Sequence, residues 1–224
     1  GVSYILQIAS YNGEADPVHA PQACALQRTM TQSTVDLETY LQHLEALRTR
    51  HWPACVPREV HYPFGHVPLT EYLRRRASLH PAKPAVIFYG RALSFAELDD
   101  LSDRFAQLLH QRGVSAGMRV AVFLPNCPQF LVVFYGILKL GAVHVPVNPL
   151  FKSTEVLYEL RDSGATIMVA LDQLMEVVES VRLDAGLAHV FVTSFADMLP
   201  AAPDQPLPEA LACPKMPIGN AEDL

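Results

Sequence analysis

From Ala85 to Thr193 the chain alternates short, almost wholly apolar runs with longer stretches carrying apolar residues every three or four positions. The short runs are Ala85–Tyr89, Arg119–Leu124, Val143–Val147, Thr166–Ala170 and Val190–Thr193. A strand with one wet face would alternate apolar and polar residues. Runs apolar throughout need cover on both sides, which a parallel sheet with helices on each face supplies. The intervening stretches read as those helices: Leu98, Leu101, Phe105, Leu108 and Leu109 share one stripe, and Leu174, Val177, Val178 and Val181 another. The expected fold class is therefore α/β, a largely parallel sheet with helices on both faces, preceded by a short β-hairpin and N-terminal helices.

Local signals punctuate the pattern. Ala85–Tyr89, Gly90-Arg91 and Ala92–Phe95 read as strand, tight turn and return strand. Ser94 followed by Glu97 forms a capping-box signature, each side chain accepting an amide that the first helical turn leaves unpaired. Gly113 suits the left-handed residue that ends that helix. Upstream, Leu37, Tyr40, Leu41, Leu44 and Leu47 predict an amphipathic helix closing near Trp52-Pro53. Beyond a connector through Pro53, Pro57, Pro63 and Pro68, a second helix is expected to turn Leu69, Tyr72, Leu73 and Leu79 inward. Residues 1–29 carry no sustained period, and Met30 reads as a translation start after an extension. Past Leu199 the prolines predict a long irregular segment. The expected organisation is an extension over 1–29, a helix and Pro-rich connector over 30–68, an α/β subdomain over 69–199 and a Pro-rich segment over 200–224.

Composition narrows the function classes. Half the residues are hydrophobic, 18% are charged and the formal charge is −6, so nothing here would recruit nucleic acid by counterion release. Arg74-Arg75-Arg76 reads as a solvated helix face. Cys24, Cys55, Cys127 and Cys213 lack zinc spacing and a nucleophile context, and free thiols are expected. His51, His61 and His66 sit in a Pro-rich stretch as surface histidines. The most apolar helix, around Phe130–Leu138, is too short to cross a membrane and reads as buried core. No basic stretch followed by a long apolar run opens the sequence, so a secretory signal is not expected. The loops after the strands, Pro125-Asn126-Cys127-Pro128 and Asn148-Pro149-Leu150-Phe151, lack the glycines of a dinucleotide fingerprint. No Walker-type phosphate loop and no nucleophile elbow occurs either. Read from its residues alone, the chain is a helix-covered sheet without a catalytic constellation.

The order of several segments is more specific. Leu93-Ser94-Phe95-Ala96-Glu97-Leu98 resembles the first core motif of adenylate-forming enzymes, and Gly117-Met118-Arg119-Val120-Ala121-Val122 resembles the strand that follows it. Leu138–Pro149 is similar to the second core motif, and Glu155–Leu160 with Asp162-Ser163-Gly164-Ala165 matches the stretch after that. The resemblance runs collinearly from about Pro68 to Thr193. Asn148-Pro149 and Leu124–Pro128 look more like fatty acyl-CoA synthetases than peptide-synthetase adenylation domains, while aryl-CoA ligases and luciferase-like enzymes stay open. The resemblance implies carboxylate adenylation by ATP with Mg2+, then thioester formation with CoA, in a cytoplasmic or membrane-peripheral enzyme acting on a fatty acid.

The family's phosphate loop normally begins just beyond a segment like Ala221-Glu222-Asp223-Leu224, and this sequence does not contain it. No catalytic, cofactor-binding or metal-binding residue can be carried over. No cofactor is expected on the residues present, and the chain is expected to be an inactive front portion of its parent. Gly141, Pro146, Pro149 and Glu97 are expected to serve architecture. An exposed apolar face, where the rest of the fold would pack, is expected to favour self-association. The rival readings are a non-catalytic binding module on the same fold and a nucleotide-binding Rossmann protein.

Overall fold

The computed structural model describes residues 36–219 and 221–224. They fall into two units, one ending at Val60 and the other running from His61 to Leu224. The 1–29 extension and the start at Met30 lie outside the described residues, as does Cys24.

In the first unit, helix α1 spans Leu37–His51 and Trp52 donates its indole N–H to the Val56 carbonyl at 2.6 Å. The expected apolar stripe is present, but none of it is buried, and Leu37, Tyr40, Leu41, Leu44 and Leu47 all face outward.

The second unit opens with α2, Leu69–Leu79. Only Leu73 of its expected inward set is buried. Leu69 and Leu79 are exposed, because they sit at the two ends of a helix whose middle alone meets the core. A hairpin follows, β1 (Pro84–Phe88) and β2 (Arg91–Ser94), paired antiparallel with Phe88 opposite Arg91. The turn is Tyr89-Gly90, one residue earlier than the sequence suggests. Both residues have positive φ, 48° and 90°, as a two-residue turn matched to strand twist requires. Gly90 has a further reason: a Cβ there would stand 2.9 Å from the Asp204 carboxyl carbon.

Helix α3, Phe95–Gln111, begins with the expected capping box: Ser94 Oγ accepts the Glu97 amide at 3.2 Å, and Glu97 accepts the Ser94 amide at 2.8 Å. Then come β3 (Arg119–Phe123), α4 (Pro128–Lys139), β4 (Val143–Pro146), α5 (Ser153–Ser163), β5 (Ile167–Leu171), α6 (Met175–Val181) and β6 (His189–Thr193). The 200–224 segment is not wholly irregular. Glu222–Asp223 form β7, a fifth strand paired parallel to β6, so β6 is not the last strand. The sheet order is β4-β3-β5-β6-β7 and every pairing is parallel.

Side-chain alternation divides the core between the two faces. Val120, Val122, Val169 and Phe191 pack with α3 and α4, while Ala121, Phe123, Met168 and Val190 pack with α5 and α6. Helices α3 and α4 approach closely at Gly136, where a Cβ would lie 2.7 Å from Phe105 and 2.9 Å from the Ser102 carbonyl. Lys139, at the end of α4, turns its ammonium back onto α3, 2.8 Å from Asp103 and from the Asp99 carbonyl. Gly141 takes φ +74°, which lets the chain leave α4 and enter β4.

Candidate functional site

Strand β3 leads to β4 on one side and, through β4 and α5, the chain returns to β5 on the other. The carboxyl ends of β3 and β5 therefore flank a topological switch point, where open α/β sheets place ligands. The residues there come from the Leu124–Cys127 loop, the start of α4, the turn after β5 and the end of β6.

Helix α4 starts with Pro128, whose missing N–H costs nothing at a first-turn position. The next residue, Gln129, is 1% exposed and donates its side-chain amide to the Ser194 carbonyl at 2.6 Å. This bond ties the head of α4 to the end of β6. The other half of the amide, Oε1, is buried without a partner among the described residues. Cys127 caps the helix without a side-chain hydrogen bond, and burial pushes its thiol up to about 11. A thiol so held is protonated near neutrality and is no nucleophile.

After β5, the buried carboxylate of Asp172 accepts the Gln173 amide at 2.8 Å and the Met216 amide at 2.9 Å, fastening the Pro-rich segment over the sheet end. Asp197 accepts the Ser194 amide at 2.8 Å and the Thr193 hydroxyl at 3.2 Å. Lys215 bridges Asp197 at 3.1 Å and Asp223 at 2.6 Å, and the bond to Asp223 raises its pKa most. On the neighbouring stretch of β7, Glu222 meets Arg112 and, at 3.1 Å, the His189 ring. The Arg112 guanidinium holds its carboxyl below the usual range. Each charge at this edge is committed to another part of the chain. The arrangement can hold loops in register, and among the described residues it offers no paired nucleophile and base.

No site residue was expected from sequence, so the structure has none to gather. Of the expected architectural residues, Glu97 caps α3 and Gly141 makes the α4-to-β4 passage; Pro146 closes β4 opposite Val122, with Pro149 in the following loop. His51, His61 and His66 are exposed. No cluster of His, Cys, Asp and Glu that could hold a metal occurs among the described residues, and no described helix is long and apolar enough to cross a membrane. Sequence reading passed over Gln129, Asp172 and Lys215. The first two carried a faint signal, a polar side chain inside an apolar helix and an acid directly after an apolar strand. Lys215, in a proline-rich stretch, carried none.

Residues 73–222 match the family model for the AMP-binding enzyme. A long-chain-fatty-acid–CoA ligase of Bacillus subtilis is 34% identical over 149 residues, 66% of this chain and 26% of the relative. One of Haemophilus influenzae is 36% identical over 54% of this chain and 22% of its own length. The chain thus spans about a quarter of the curated relatives it matches. Among solved structures, the inhibitor-bound N-terminal domain of FACL13 from Mycobacterium tuberculosis superposes with a TM-score of 0.54 at 30% identity, over 63% of this chain and 37% of that one. A benzoate CoA ligase from Burkholderia xenovorans does so with a TM-score of 0.54 at 26% identity, over 66% and 31%. The parallel sheet, its capped helices and the collinear match over residues 73–222 make this chain a member of the AMP-binding enzyme family, its matched part lying in the N-terminal region of that fold.

Proposed function

We propose that this chain forms the front scaffold of an ATP-dependent, AMP-forming fatty acid–CoA ligase. In that reading a carboxylate attacks the α-phosphorus of ATP to release pyrophosphate, and the CoA thiol then displaces AMP from the acyl-adenylate. ATP, Mg2+ and CoA would be held by parts of the enzyme outside these residues. The observation that carries the reading is the collinear similarity to long-chain-fatty-acid–CoA ligases at about one-third identity. The closed ion-pair network at the sheet edge supports assigning scaffold rather than chemistry to the residues present. We place the enzyme in the cytoplasm, where its acyl acceptor CoA is used, with association through an exposed apolar face as the expected route to oligomers.

The likeness to a benzoate CoA ligase favours, as a second reading, an aromatic acid as substrate. Expressing the whole gene that encodes this sequence and following AMP release with CoA separates the two. Palmitate is expected to support turnover at least about tenfold better than benzoate, the scale of about 1.4 kcal/mol in discrimination. Preference for benzoate would replace the fatty acid reading, and no AMP release with either acid would remove the ligase reading.

A further inference from the structure

Helix α1 carries an apolar stripe that no described residue covers. Leu37, Tyr40, Leu44 and Leu47 recur at steps of three, four and three, the spacing that lets one helix seat its side chains between those of another. Leu41 widens the stripe on one flank. All five are exposed, from 38% at Leu47 to 69% at Leu37. The 15 residues of α1 extend about 22 Å at 1.5 Å per residue, and the stripe runs along most of that length.

The charges of the same helix are divided along its axis. Asp36 and Glu38 stand at its start, and Arg48, Arg50 and His51 at its end. Glu45 and Arg48 are spent on each other at 3.1 Å. Asp36 and Arg50 are not: neither side chain has a hydrogen bond or ion pair among the described residues. A parallel pair of such helices would set acid against acid at one end and base against base at the other. An antiparallel pair turns both contacts into opposite charges and opposes the two helix dipoles. The antiparallel register that seats Leu37 against the second copy's Leu47, and Leu44 against its Tyr40, also sets Asp36 of each copy beside Arg50 of the other on one flank of the seam. The balance of charge speaks against a lipid surface as the occupant. Asp36, Glu38 and Glu45 outnumber Arg48 and Arg50, whereas a helix lying on anionic lipid presents a basic polar face.

We propose that α1 is a docking surface for the α1 of a second copy of this chain, paired antiparallel along the Leu37–Leu47 stripe and oriented by two symmetric Asp36–Arg50 ion pairs. Two such stripes bury less than the ~1,200 Å² at which standard interfaces begin, so the pairing is reversible and weak, on the micromolar scale. Such pairing gives the self-association expected of the chain a face and a direction. Neither ATP nor CoA enters it, so it stands apart from the ligase reading.

Sedimentation equilibrium of the 224-residue chain over a concentration series tests the pairing. A monomer–dimer equilibrium is expected. Leu44 is exposed in the single chain, so the fold tolerates Leu44→Asp, and the variant is expected to pair at least about tenfold more weakly because the seam would bury an unpaired carboxylate. Asp36→Arg and Arg50→Glu are each expected to weaken pairing about three- to tenfold, since each sets like charges together at both ends of the seam. The double variant, whose net charge is unchanged, is expected to recover most of the loss. So is an equimolar mixture of the two single variants, in which every facing pair is again of opposite charge. A chain monomeric at every concentration, association unmoved by Leu44→Asp, or no recovery in the double variant would each overturn the assignment. A monomeric chain that co-sediments with phosphatidylglycerol vesicles, and loses that binding in Leu44→Asp, would overturn it too and make α1 a lipid-facing helix. None of these outcomes bears on whether the whole enzyme releases AMP.

Discussion

Gly136 sits where two helices touch, and its missing side chain is what lets them. In an isolated helix, Gly136→Ala would gain about 1 kcal/mol from propensity. Here the new methyl would meet the Ser102 backbone carbonyl at 2.9 Å, an atom that cannot swing aside. The contact outweighs the propensity, and the variant is expected to unfold in urea with about 1–3 kcal/mol less stability. An unchanged or higher midpoint would show that α3 and α4 have slack at this crossing. His144 works through its protonation state. Its Nε2 is buried without a partner, and the rings of Phe130 and Phe134 stand edge-on to it at 5.6 and 5.2 Å. Burial lowers its pKa, so the unfolded chain takes up the proton more readily than the folded one. The contribution is complete above the ordinary histidine value of about 6.5 and is lost as pH falls through it towards the lowered folded value. In His144→Phe that slope should vanish from the stability profile below about pH 6.5. If the variant keeps the slope, another group is responsible.

Strand β7 shows how an element can exist without a local signal. Glu222–Asp223 are two charged residues after a proline-rich run, with no apolar character to mark a strand. They become one because β6 offers a parallel edge, because the Leu224 amide reaches the Val192 carbonyl at 2.9 Å, and because Arg112 and His189 receive Glu222. Those partners lie far back in the sequence, beyond any window of periodicity. By contrast, β3, β5 and β6 are legible because their own side chains are apolar on both faces, and α3 is legible because its cap is written in two residues, Ser94 and Glu97. The outward-facing stripe of α1 marks the converse limit: a period states that a face is apolar, and packing decides whether it is covered. The same holds at the candidate site, where Gln129 and Ser194 meet across the fold. The Glu222 contacts also give β7 a pH response. Arg112 depresses the folded pKa of the carboxylate, so its contribution is present above the unfolded value of about 4.3 and is lost as pH falls through the lowered folded one. Glu222→Gln is expected to flatten that acid limb at a cost of at most about 1 kcal/mol near neutrality, since the pair is partly exposed. Hydrogen exchange at the Leu224 amide should quicken in the same variant, and unchanged protection would show that β7 holds without the ion pair.

At the scale of the molecule, the unit from His61 to Leu224 has its own two-sided core and a sheet edge whose charges are mutually satisfied. Those properties suit a body on which other parts of an enzyme are mounted. Large apolar side chains are left outside, among them Leu150 and Leu183 at 82% and 93% exposure. Light scattering over a concentration series is accordingly expected to show reversible self-association of the 224-residue chain, and a strictly monomeric chain would contradict that. The division of labour itself is tested most directly by ATP–pyrophosphate exchange with palmitate and Mg2+, measured side by side on this chain and on the product of the whole gene. Fatty-acid-dependent exchange is expected from the whole product and none from the chain alone. Exchange by the 224 residues on their own, or none from the whole product, would contradict it.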